Sequence, residues 1–464
     1  MFEGELSVVG LGKLGSVMAA VMADAGYSVV GVDVQPSTVQ AVNQGLTPVQ
    51  EPLLDEYFQR NRIRLTATTD IEAAVLQTSA TFIIVPTPSG PDGTFLVNYV
   101  LDVCRGIARA LRSKTSYHLV VVSSTVMPGQ TGGAILPLLE ELSGKRCGVD
   151  FGLCYNPEFI ALGSVVRDML APDILLIGES DTRAGDLLES IYRQICQNNP
   201  PAARMNFVNA ELAKLSVNTY VTTKISYANM LASVCERLPG ADVDVVTAAI
   251  GLDSRIGAKY LKGAVSYGGP CFPRDNVAFS ALARQLGADA SLAQATHAAN
   301  RRHTERLGEL VLDLLDGAGT AAILGLSYKP GTAVVEESAG IALAHYLAAR
   351  SVPVTVYDPQ AIANARLVLG DSVIYASSAA AAIATSSVVL VLTAWDEFRA
   401  LRPADFARSN GRVILVDCWR LFKGKGFEDI CTYLTLGSGS ARSARGRAAA
   451  ADSVCVPFLE HARG

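Results

Sequence analysis

Short, almost wholly apolar runs alternate along the chain with longer stretches of helical pattern. The first example covers residues 6–33, where an apolar run is followed by a glycine-rich turn, a stretch of small and apolar residues, and a second apolar run that ends at Asp33. Short apolar runs are typical of buried strands, and the longer stretch between them is typical of a helix. The pattern predicts a βαβ unit.

Three further strand-like runs follow at 81–88, 118–126 and 173–178, separated by helical or loop-rich segments. Strands that alternate with helices predict a parallel, doubly wound α/β sheet. In such a sheet, ligands bind at the carboxyl ends of the strands. Four residues at those ends are candidates for ligand contact: Thr87, Pro88, Ser124 and Thr125. Each of them is equally compatible with ordinary turn chemistry.

The glycine-rich turn has the GxGxxG spacing in Gly10, Gly12 and Gly15. Glycines at these positions allow a tight turn, close approach of the backbone to a pyrophosphate, and close contact between helix and strand. At the end of the second strand, the carboxylate of Asp33 can accept hydrogen bonds from a ribose diol and would repel a 2′-phosphate. The predicted site also includes the residues between the glycines: Leu11, Lys13 and Leu14. The sequence predicts an NAD site, with a plain α/β turn as the alternative.

A long helix is predicted over residues 209–237, which contain neither glycine nor proline and keep a helical apolar pattern. A helix of this length is typical of a position between domains or against a second subunit. Glu211, Lys214 and Asn218 share one of its faces because they are three and four residues apart. Composition alone favours a solvated face for these three side chains.

The βαβ pattern starts again at residues 321–331, with a helix over 336–350 and a second strand over 352–360 that includes Asp358. More strands are predicted at 386–395 and 411–419. This pattern predicts a second Rossmann-like domain, without the glycine fingerprint, for a phosphate-bearing ligand that is not a dinucleotide.

The chain is therefore divided into an NAD-binding domain (1–205), a central helical region (206–305), a second Rossmann-like domain (306–435) and a tail (436–464). The tail is rich in Ser, Ala and Arg and is predicted to be disordered.

Composition adds limits on class and partner. The chain has 464 residues, 50% of them hydrophobic and 18% charged, which is typical of a soluble globular protein of two or three domains. A net charge of -5 gives no general attraction to nucleic acid or an anionic membrane. The first ten residues lack the basic start of a signal peptide, so a cytoplasmic location is expected. Nine cysteines without a CxxC pair predict reduced thiols and no metal site.

A set of short motifs resembles the UDP-glucose/GDP-mannose dehydrogenase family in order and spacing. The motifs are GLGKLG (10–15) with Asp33, VPTP (85–88), SSTV (123–126), NPEF (156–159), the helix with Lys214 and Asn218, RIG (255–257), GGPCFPRD (268–275) and GLSYKPGT (325–332). The resemblance covers about residues 5–430. It implies a four-electron oxidation of the C6 alcohol of a nucleotide sugar to an acid with two NAD. It also implies two Rossmann-like domains joined by a long, dimer-forming helix.

The same resemblance implies roles for individual residues. Cys271 would add to an aldehyde intermediate as a thiolate, giving a thiohemiacetal and then a thioester that water hydrolyses. Lys214 would stabilise the oxyanion with help from Asn218, Asp275 would order Lys214 and a water, and Glu158 and Thr125 would direct water at the thioester. Arg274 is placed with the cofactor. The implied substrate contacts are Glu158, Phe159, Lys214, Asn218, Arg255, Tyr260, Tyr267, Gly268, Gly269, Tyr328 and Lys329.

This chain departs from the family pattern at several positions. Leu162 stands where a second glutamate is common, and Glu336 stands where an arginine would face the cofactor. Val334 replaces an aspartate, Thr38 stands where some members have an arginine, and Trp419 displaces Arg420 by one position. These changes put the substrate in question more than the core chemistry.

Several functions stay open from sequence alone. UDP-glucose is the leading substrate because GGPCFPRD is similar to the GGSCFPKD of that branch, and a UDP-N-acetylhexosamine, GDP-mannose and dTDP-glucose are alternatives. A single-step β-hydroxyacid dehydrogenase and a non-catalytic nucleotide-sugar-binding homologue are two further alternatives. A homodimer or a higher homo-oligomer is expected.

Overall fold

The structure is a computed structural model that describes residues 4–317, 319–409 and 411–439. Its residues form two compact units. The first unit comprises the chain up to Tyr220 together with Arg274–Gln294, and the second comprises Val221–Pro273 together with the chain from Ala295 onward. The predicted domain boundaries stay predictions, and most of the tail predicted to be disordered lies outside the described residues.

An eight-stranded sheet forms the centre of the first unit. Its strands are β1 Leu6–Val9, β2 Val29–Val32, β3 Leu65–Thr68, β4 Ala80–Ile83, β5 His118–Val122, β6 Phe151–Tyr155, β7 Leu175–Glu179 and β8 Ala202–Met205. The strand order is β3-β2-β1-β4-β5-β6-β7-β8. The predicted parallel sheet is confirmed from β3 to β6, but β7 pairs antiparallel with β6, Tyr155 facing Gly178. The sequence could not show this reversal because an apolar run has the same composition in either direction.

Helices pack around this sheet and continue beyond it. Those of the first unit are α1 Gly15–Asp24, α2 Pro36–Asn43, α3 Leu54–Arg60, α4 Ile71–Gln77, α5 Asn98–Ser113, α6 Leu136–Ser143, α7 Val165–Leu170 and α8 Thr182–Ile195, with a π-helical turn at Thr131–Ile135. The next four are α9 Phe207–Cys235, α10 Val243–Gly251, α11 Phe272–Gln285 and α12 Ser291–Leu315. The long helix predicted over 209–237 is α9, which has 29 residues.

A six-stranded parallel sheet forms the centre of the second unit. Its strands are β9 Ala321–Leu324, β10 Val354–Tyr357, β11 Ile374–Tyr375, β12 Val388–Val391, β13 Ile414–Asp417 and β14 Thr432–Thr435. Its helices are α13 Ala339–Ala348, α14 Ile362–Leu369, α15 Ala379–Ala384 and α16 Asp396–Arg399, with 3-10 turns at Pro403–Phe406 and Phe427–Asp429. The order β11-β10-β9-β12-β13-β14 repeats the first six positions of the first sheet. The prediction of two Rossmann-like domains with a long central helix is confirmed.

The core of each unit lies on both faces of its sheet. All four residues of β1, β4, β9 and β12 are buried. Strands covered by helices on both faces read as continuous apolar runs because neither face meets water. Helix α1 is buried along nine of its ten residues, which explains its small and apolar composition.

Both units use a pair of glycines to bring a helix against the first strand. A Cβ at Gly15 would overlap the carbonyl oxygen of Gly10, and a Cβ at Gly340 would overlap that of Gly325. Gly10 and Gly325 also have positive φ, at 98° and 108°, which favours glycine. The second domain lacks the GxGxxG fingerprint, as predicted, but it keeps this close contact between helix and strand. Gly340 was missed because a long loop separates it from Gly325.

Within the described ranges, no helix is both long and apolar enough to cross a membrane. The same residues contain no group of three or more His, Cys, Asp and Glu side chains that could hold a metal ion.

Candidate active site

The glycine-rich turn after β1 has the shape of a dinucleotide site. Gly12 is exposed, and no atom lies within 4 Å of the position that its Cβ would occupy. Asp33 accepts hydrogen bonds from the amides of Leu11 and Gln35, both at 2.9 Å. A carboxylate has about four acceptor positions, so Asp33 keeps capacity for a ribose hydroxyl. The open turn before α1 fits a pyrophosphate, so the first unit fits NAD.

The other turn residues divide between packing and exposure. Leu11 is buried in the core, Lys13 is exposed, and Leu14 is half-buried. Leu11 packs over Gly31 of β2. A Cβ atom on Gly31 would lie 2.8 Å from a methyl carbon of Leu11. Of these three predicted cofactor contacts, the structure therefore leaves the Lys13 side chain accessible and turns the Leu11 side chain inward.

Hydrogen bonds join the predicted residues at the ends of β4 and β5. The Ser124 hydroxyl donates to the carbonyl of Val85 at 2.7 Å and accepts from its amide at 2.9 Å. The Thr87 hydroxyl donates to the carbonyl of Thr125 at 2.7 Å. The carbonyl of Pro88 accepts from the amide of Leu96 at 2.8 Å. The two loops are thus held together at the carboxyl edge of the sheet, where a Rossmann-like fold binds its ligand.

One polar face of α9 is buried within the first unit. Glu211, Lys214 and Asn218 are only 0%, 7% and 8% exposed. The sequence-based interpretation of this face as solvated is therefore wrong. Composition favoured solvent because most charged residues on helices are exposed, but each of these three side chains has a partner inside the protein.

Glu211 fixes the loop before the π-helical turn. Its two carboxylate oxygens accept hydrogen bonds from the amides of Gly129 and Thr131, at 2.6 and 2.8 Å. Burial raises the pKa of Glu211, and these amide donors oppose the rise. Glu211 therefore has a structural role one helical turn before Lys214.

Lys214 lies among groups that suit a buried cation. Its ammonium donates to the carbonyl oxygen of Glu158 at 2.6 Å and lies 4.4 Å from the centre of the Phe159 ring. The Asn218 amide, one turn further along α9, donates to the carboxylate of Asp275 at 2.6 Å. Asp275 is 1% exposed, and its other oxygen has no hydrogen-bond partner among the described residues.

Burial and the neighbouring charges act on the pKa of Asp275 in opposite directions. Burial raises the pKa of Asp275, and Lys214, Arg274 and the Asn218 hydrogen bond lower it. Arg274 lies in the first turn of α11, with a nitrogen 3.7 Å from the Asp275 carboxylate. The Arg274 guanidinium also donates to the carbonyl of Thr87 at 3.1 Å and lies 4.4 Å from the centre of the Phe95 ring. Arg274 thus connects the β4 end of the sheet to the Lys214 cluster.

Glu158 has a partner that sequence reasoning missed. The hydroxyl of Tyr192, on α8, donates to the Glu158 carboxylate at 2.6 Å. Burial raises the pKa of Glu158, while the Tyr192 hydrogen bond and the charge of Lys214 oppose the rise. Tyr192 is 34 positions from Glu158 and belongs to the apolar face of its helix, so no local signal points to the contact.

In the second unit, Cys271 is exposed and immediately precedes α11. The glycines before it meet the loop after β9: a Cβ at Gly268 would overlap the Glu337 carbonyl, and one at Gly269 would lie 2.6 Å from the Tyr328 ring. These glycines are therefore required for packing, and their predicted contact with the substrate stays a prediction.

Phe272, the residue directly after the cysteine, packs against two tyrosine rings. The ring centre of Phe272 is 6.4 Å from that of Tyr260 and 6.4 Å from that of Tyr267, both in edge-to-face geometry. Tyr260 has a positive φ of 65°, which is rare for a residue with a side chain. The second unit thus brings Tyr260, Tyr267, Gly268, Gly269 and Tyr328 around the Cys271 segment.

Two predicted cationic contacts are more exposed. The Arg255 side chain is 86% exposed and forms an ion pair with Asp253 at 2.6 Å. The Lys329 ammonium lies 5.9 Å from the centre of the neighbouring Tyr328 ring. Neither contact prevents these side chains from meeting a ligand.

The departures from the family pattern have structural roles. Leu162 is partly buried and packs against the main core of the first unit. The carbonyl of Glu336 accepts from the amide of Gly269 at 3.0 Å, although its side chain is exposed. Arg420 is buried and binds both carboxylate oxygens of Asp244, at 2.7 and 3.0 Å. Arg420 therefore stabilises the second unit.

The fold and these residues define a dehydrogenase with a Rossmann-type dinucleotide domain. The chain belongs to the UDP-glucose/GDP-mannose dehydrogenase family. The NAD binding domain of that family matches residues 4–196, its central domain matches 208–302, and its UDP binding domain matches 322–424. The protein is thus an NAD-dependent nucleotide-sugar dehydrogenase.

Individual relatives act on different sugars. The chain is 39% identical over 415 residues to the UDP-glucose 6-dehydrogenase AglM of Haloferax volcanii, covering 89% of this chain and 96% of that protein. It is 34% identical to the GDP-mannose 6-dehydrogenase of Pseudomonas aeruginosa, covering 76% and 80%. The solved structure of a UDP-glucose dehydrogenase from Pyrobaculum islandicum has a TM-score of 0.85 and 36% identity, covering 94% and 98%.

The glycine turn yields a prediction that separates binding from folding. Gly12→Ala should leave the thermal unfolding midpoint unchanged and weaken NAD binding about tenfold or more, because the new methyl group enters the open turn. Gly15→Ala should lower the midpoint by several degrees, because its Cβ overlaps the Gly10 carbonyl. Calorimetric titration with NAD and thermal unfolding measure the two effects. Equal loss of stability in both variants would contradict this division.

Proposed function

We propose that this protein oxidises the C6 alcohol of UDP-glucose to the acid, giving UDP-glucuronate. The observation that carries the choice of sugar is the 39% identity to a UDP-glucose 6-dehydrogenase over 96% of its length, against 34% over 80% for a GDP-mannose enzyme. The match of residues 322–424 to the UDP binding domain of the family supports a nucleotide-sugar substrate.

The second half of this oxidation needs a nucleophile, and we assign that role to Cys271. An aldehyde has no carbinol to oxidise until a nucleophile adds to its carbon. The Cys271 thiolate forms a C–S bond to that carbon, and the resulting thiohemiacetal loses a hydride to become a thioester. Water then attacks the thioester, releasing the carboxylate product and regenerating the thiolate. The exposure of Cys271 at the start of α11 supports this role.

NAD, when bound, supplies the hydride acceptor for both oxidations. The chain would hold it at the open turn of Gly12, with Asp33 accepting from the ribose and the α1 N-terminus facing the pyrophosphate. Arg274 and the residues at the ends of β4 and β5 (Thr87, Pro88, Ser124 and Thr125) are the further proposed contacts on this unit.

Lys214 is the proposed donor to the oxyanion that develops on C6. Preorganised donors of this kind contribute about 3 kcal/mol to transition-state stabilisation. The Glu158 carbonyl, the Phe159 ring and the Asp275 charge stabilise the buried ammonium. Asn218 orients Asp275 and supports the same donor.

Glu158 is the proposed base for hydrolysis of the thioester, with Thr125 positioning the water. A base that works near neutral pH needs a pKa above that of an ordinary carboxyl group, and burial moves Glu158 in that direction. Leu162 is apolar, so the segment that follows β6 offers one carboxylate for this task.

In the second unit we assign the nucleotide-sugar contacts to Tyr260, Tyr267, Tyr328 and Lys329, with Arg255 reaching a second copy of the chain. Exposed apolar residues on α9 support a homodimer. Tyr227, Met230 and Val234 share one helical face and are 48%, 52% and 47% exposed.

A substrate panel tests the proposed sugar. With UDP-glucose we expect two NADH per sugar and a kcat/KM at least about tenfold above that for UDP-N-acetylglucosamine, UDP-N-acetylmannosamine, UDP-galactose, dTDP-glucose and GDP-mannose. Absorbance of NADH measures both quantities. A higher kcat/KM for another sugar would replace UDP-glucose, and one NADH per sugar would indicate a single-step dehydrogenase.

Cys271→Ala tests the covalent mechanism. Acid formation should fall below detection, because no thioester can form, while NAD binds as in the parent protein. Product analysis by mass spectrometry, with a hydroxylamine trap for the aldehyde, measures the outcome. Cys147→Ala is the matched control, since this half-buried cysteine packs beside the core of the first unit and its neighbours Ser180, Asp181 and Glu140 are not proposed catalytic residues. Acid production by Cys271→Ala would remove the covalent mechanism.

Tyr192→Phe tests the proposed base through its pH dependence. The groups that face Glu158 are Tyr192 from α8, Cys196 directly after that helix, and Lys214 from α9. Loss of the Tyr192 hydroxyl removes a donor that favours ionised Glu158, so the pKa of Glu158 should rise further. A base must be ionised, so the acid limb of the kcat profile should move to higher pH.

Activity of Tyr192→Phe should recover at high pH, where Glu158 ionises without its donor. Tyr27→Phe is the control. It also removes a tyrosine hydroxyl that donates to a side chain of α8, at 2.9 Å, but the acceptor, Gln194, is neutral. An unmoved acid limb in Tyr192→Phe would exclude Glu158 as the titrating base.

A further inference from the structure

The four residues that lead into the cysteine loop are deeply buried within the second unit. Ala264, Val265, Ser266 and Tyr267 are at most 9% exposed. They belong to no helix or strand, so regular secondary structure supplies no hydrogen-bond partners for their backbone amides and carbonyls. Buried backbone polar groups must nevertheless be hydrogen-bonded, because a buried group without a partner destabilises the fold. Side chains from two helices meet this need.

Asn229, on α9, binds two backbone groups at the start of this segment. Its side-chain oxygen accepts from the amide of Ala264 at 2.9 Å, and its side-chain nitrogen donates to the carbonyl of Val265 at 3.0 Å. Asn229 is 3% exposed. A carboxamide is the side chain that offers one acceptor and one donor side by side.

Asn300, on α12, repeats the arrangement at the end of the segment. Its oxygen accepts from the amide of Tyr267 at 2.8 Å, and its nitrogen donates to the carbonyl of the same residue at 2.9 Å. His303, one turn along α12, has Nε2 at 2.7 Å from the carbonyl of Ala264. That nitrogen must carry the proton because a carbonyl only accepts. The Ser266 hydroxyl bonds to that of Thr304 at 2.8 Å.

These contacts extend to Cys271 through a short, continuous path. Tyr267 is four residues before Cys271, and its ring packs against Phe272 directly after it. Between them, the amide of Gly269 donates to the carbonyl of Glu336 at 3.0 Å. These contacts fix the chain before and after the exposed sulfur. Asn300 binds Tyr267, which precedes Cys271, and the Tyr267 ring packs against Phe272, which follows it.

We propose that Asn229 and Asn300 are positioning residues for Cys271: together they clamp the segment Ala264–Tyr267 between α9 and α12 and set the place of the sulfur. The proposal rests on the proposed role of Cys271 as nucleophile. Both asparagines are buried, and neither is among the proposed substrate contacts. Displacement of a reacting atom by about 1 Å can cost about a hundredfold in rate, so a clamp of this kind matters to the step that uses the sulfur.

The clamp makes a prediction that a purely structural role does not share. The first oxidation, from alcohol to aldehyde, does not use Cys271, whereas the second oxidation does. Loosening the clamp should therefore release aldehyde and lower the yield of NADH per sugar from two toward one. General destabilisation lowers the amount of active protein but leaves the yield at two.

Asn300→Asp and Asn229→Asp are the variants, because Asp keeps the size and the acceptor of Asn and loses the donor to the carbonyl. In the full-length protein with UDP-glucose and NAD, we expect kcat to fall about 10- to 100-fold with KM within about threefold, aldehyde to appear in a hydroxylamine trap, and NADH per sugar to fall below two. Asn43→Asp is the matched control. It forms the same pair of bonds, at 2.7 and 2.9 Å, with Ala67 of β3, and should keep a yield of two.

A yield of two NADH per sugar with no trapped aldehyde in both clamp variants would overturn the proposal, even if their unfolding midpoints fall. If neither variant folds, Thr304→Val decides the question, since it removes only the bond to Ser266: a yield below two supports the clamp, and a yield of two overturns it. Cys271→Ala separates the two levels of the argument, because acid formation by that variant refutes the nucleophile itself, whatever the asparagine variants do.

Discussion

The burial of Lys214 is the constraint on which the first unit's site depends. An ammonium that is 7% exposed has lost most of its water and must meet acceptors and opposite charge, or give up its proton. The Glu158 carbonyl and the Phe159 ring come from the segment after β6, and the Asp275 charge comes from α11. Three separate stretches of chain must therefore meet at one point. The cation in turn limits the rise in pKa that burial causes in Glu158 and Asp275.

The six-stranded sheet repeats the order of six strands of the first sheet, but the acid at the end of its second strand has a different role. In the first, Asp33 at the end of β2 is half-buried and accepts two amide hydrogen bonds, which leaves room for a ribose. In the second, Asp358 at the end of β10 is 1% exposed and accepts from two amides and a hydroxyl in Leu326–Ser327, from the amides of Gln360 and Ala361, and from the Trp395 indole. With its acceptor positions filled by its own loops, Asp358 stabilises the turn and cannot bind a ribose.

Sequence reasoning succeeded where the signal is local. Strands such as β1, β4, β5 and β12 were predicted because their runs are largely apolar, whereas β3, β6 and β8 were missed. Helix α9 was placed within two residues at each end because no glycine or proline interrupts it. It failed where the signal lies in three dimensions. The features it missed are the direction of β7, the contact of Gly340 with Gly325, the buried face of α9 and the bond from Tyr192 to Glu158. Each of them joins residues that are far apart along the chain or depends on which side of a helix is covered.

The loop after Glu158 carries Leu162 at the position where a second glutamate is common in the family. Leu162 and Ile160 pack against the apolar core that contains Tyr192, so a carboxylate at residue 162 would lie against that core. Just beyond, Glu51 accepts from the amides of Gly163 and Val165, at 3.0 and 2.9 Å, and so both of its oxygens are used to hold the loop. The groups that oppose the rise in the pKa of Glu158 are therefore the Tyr192 hydroxyl and the Lys214 cation, and both favour the ionised carboxylate that a base requires.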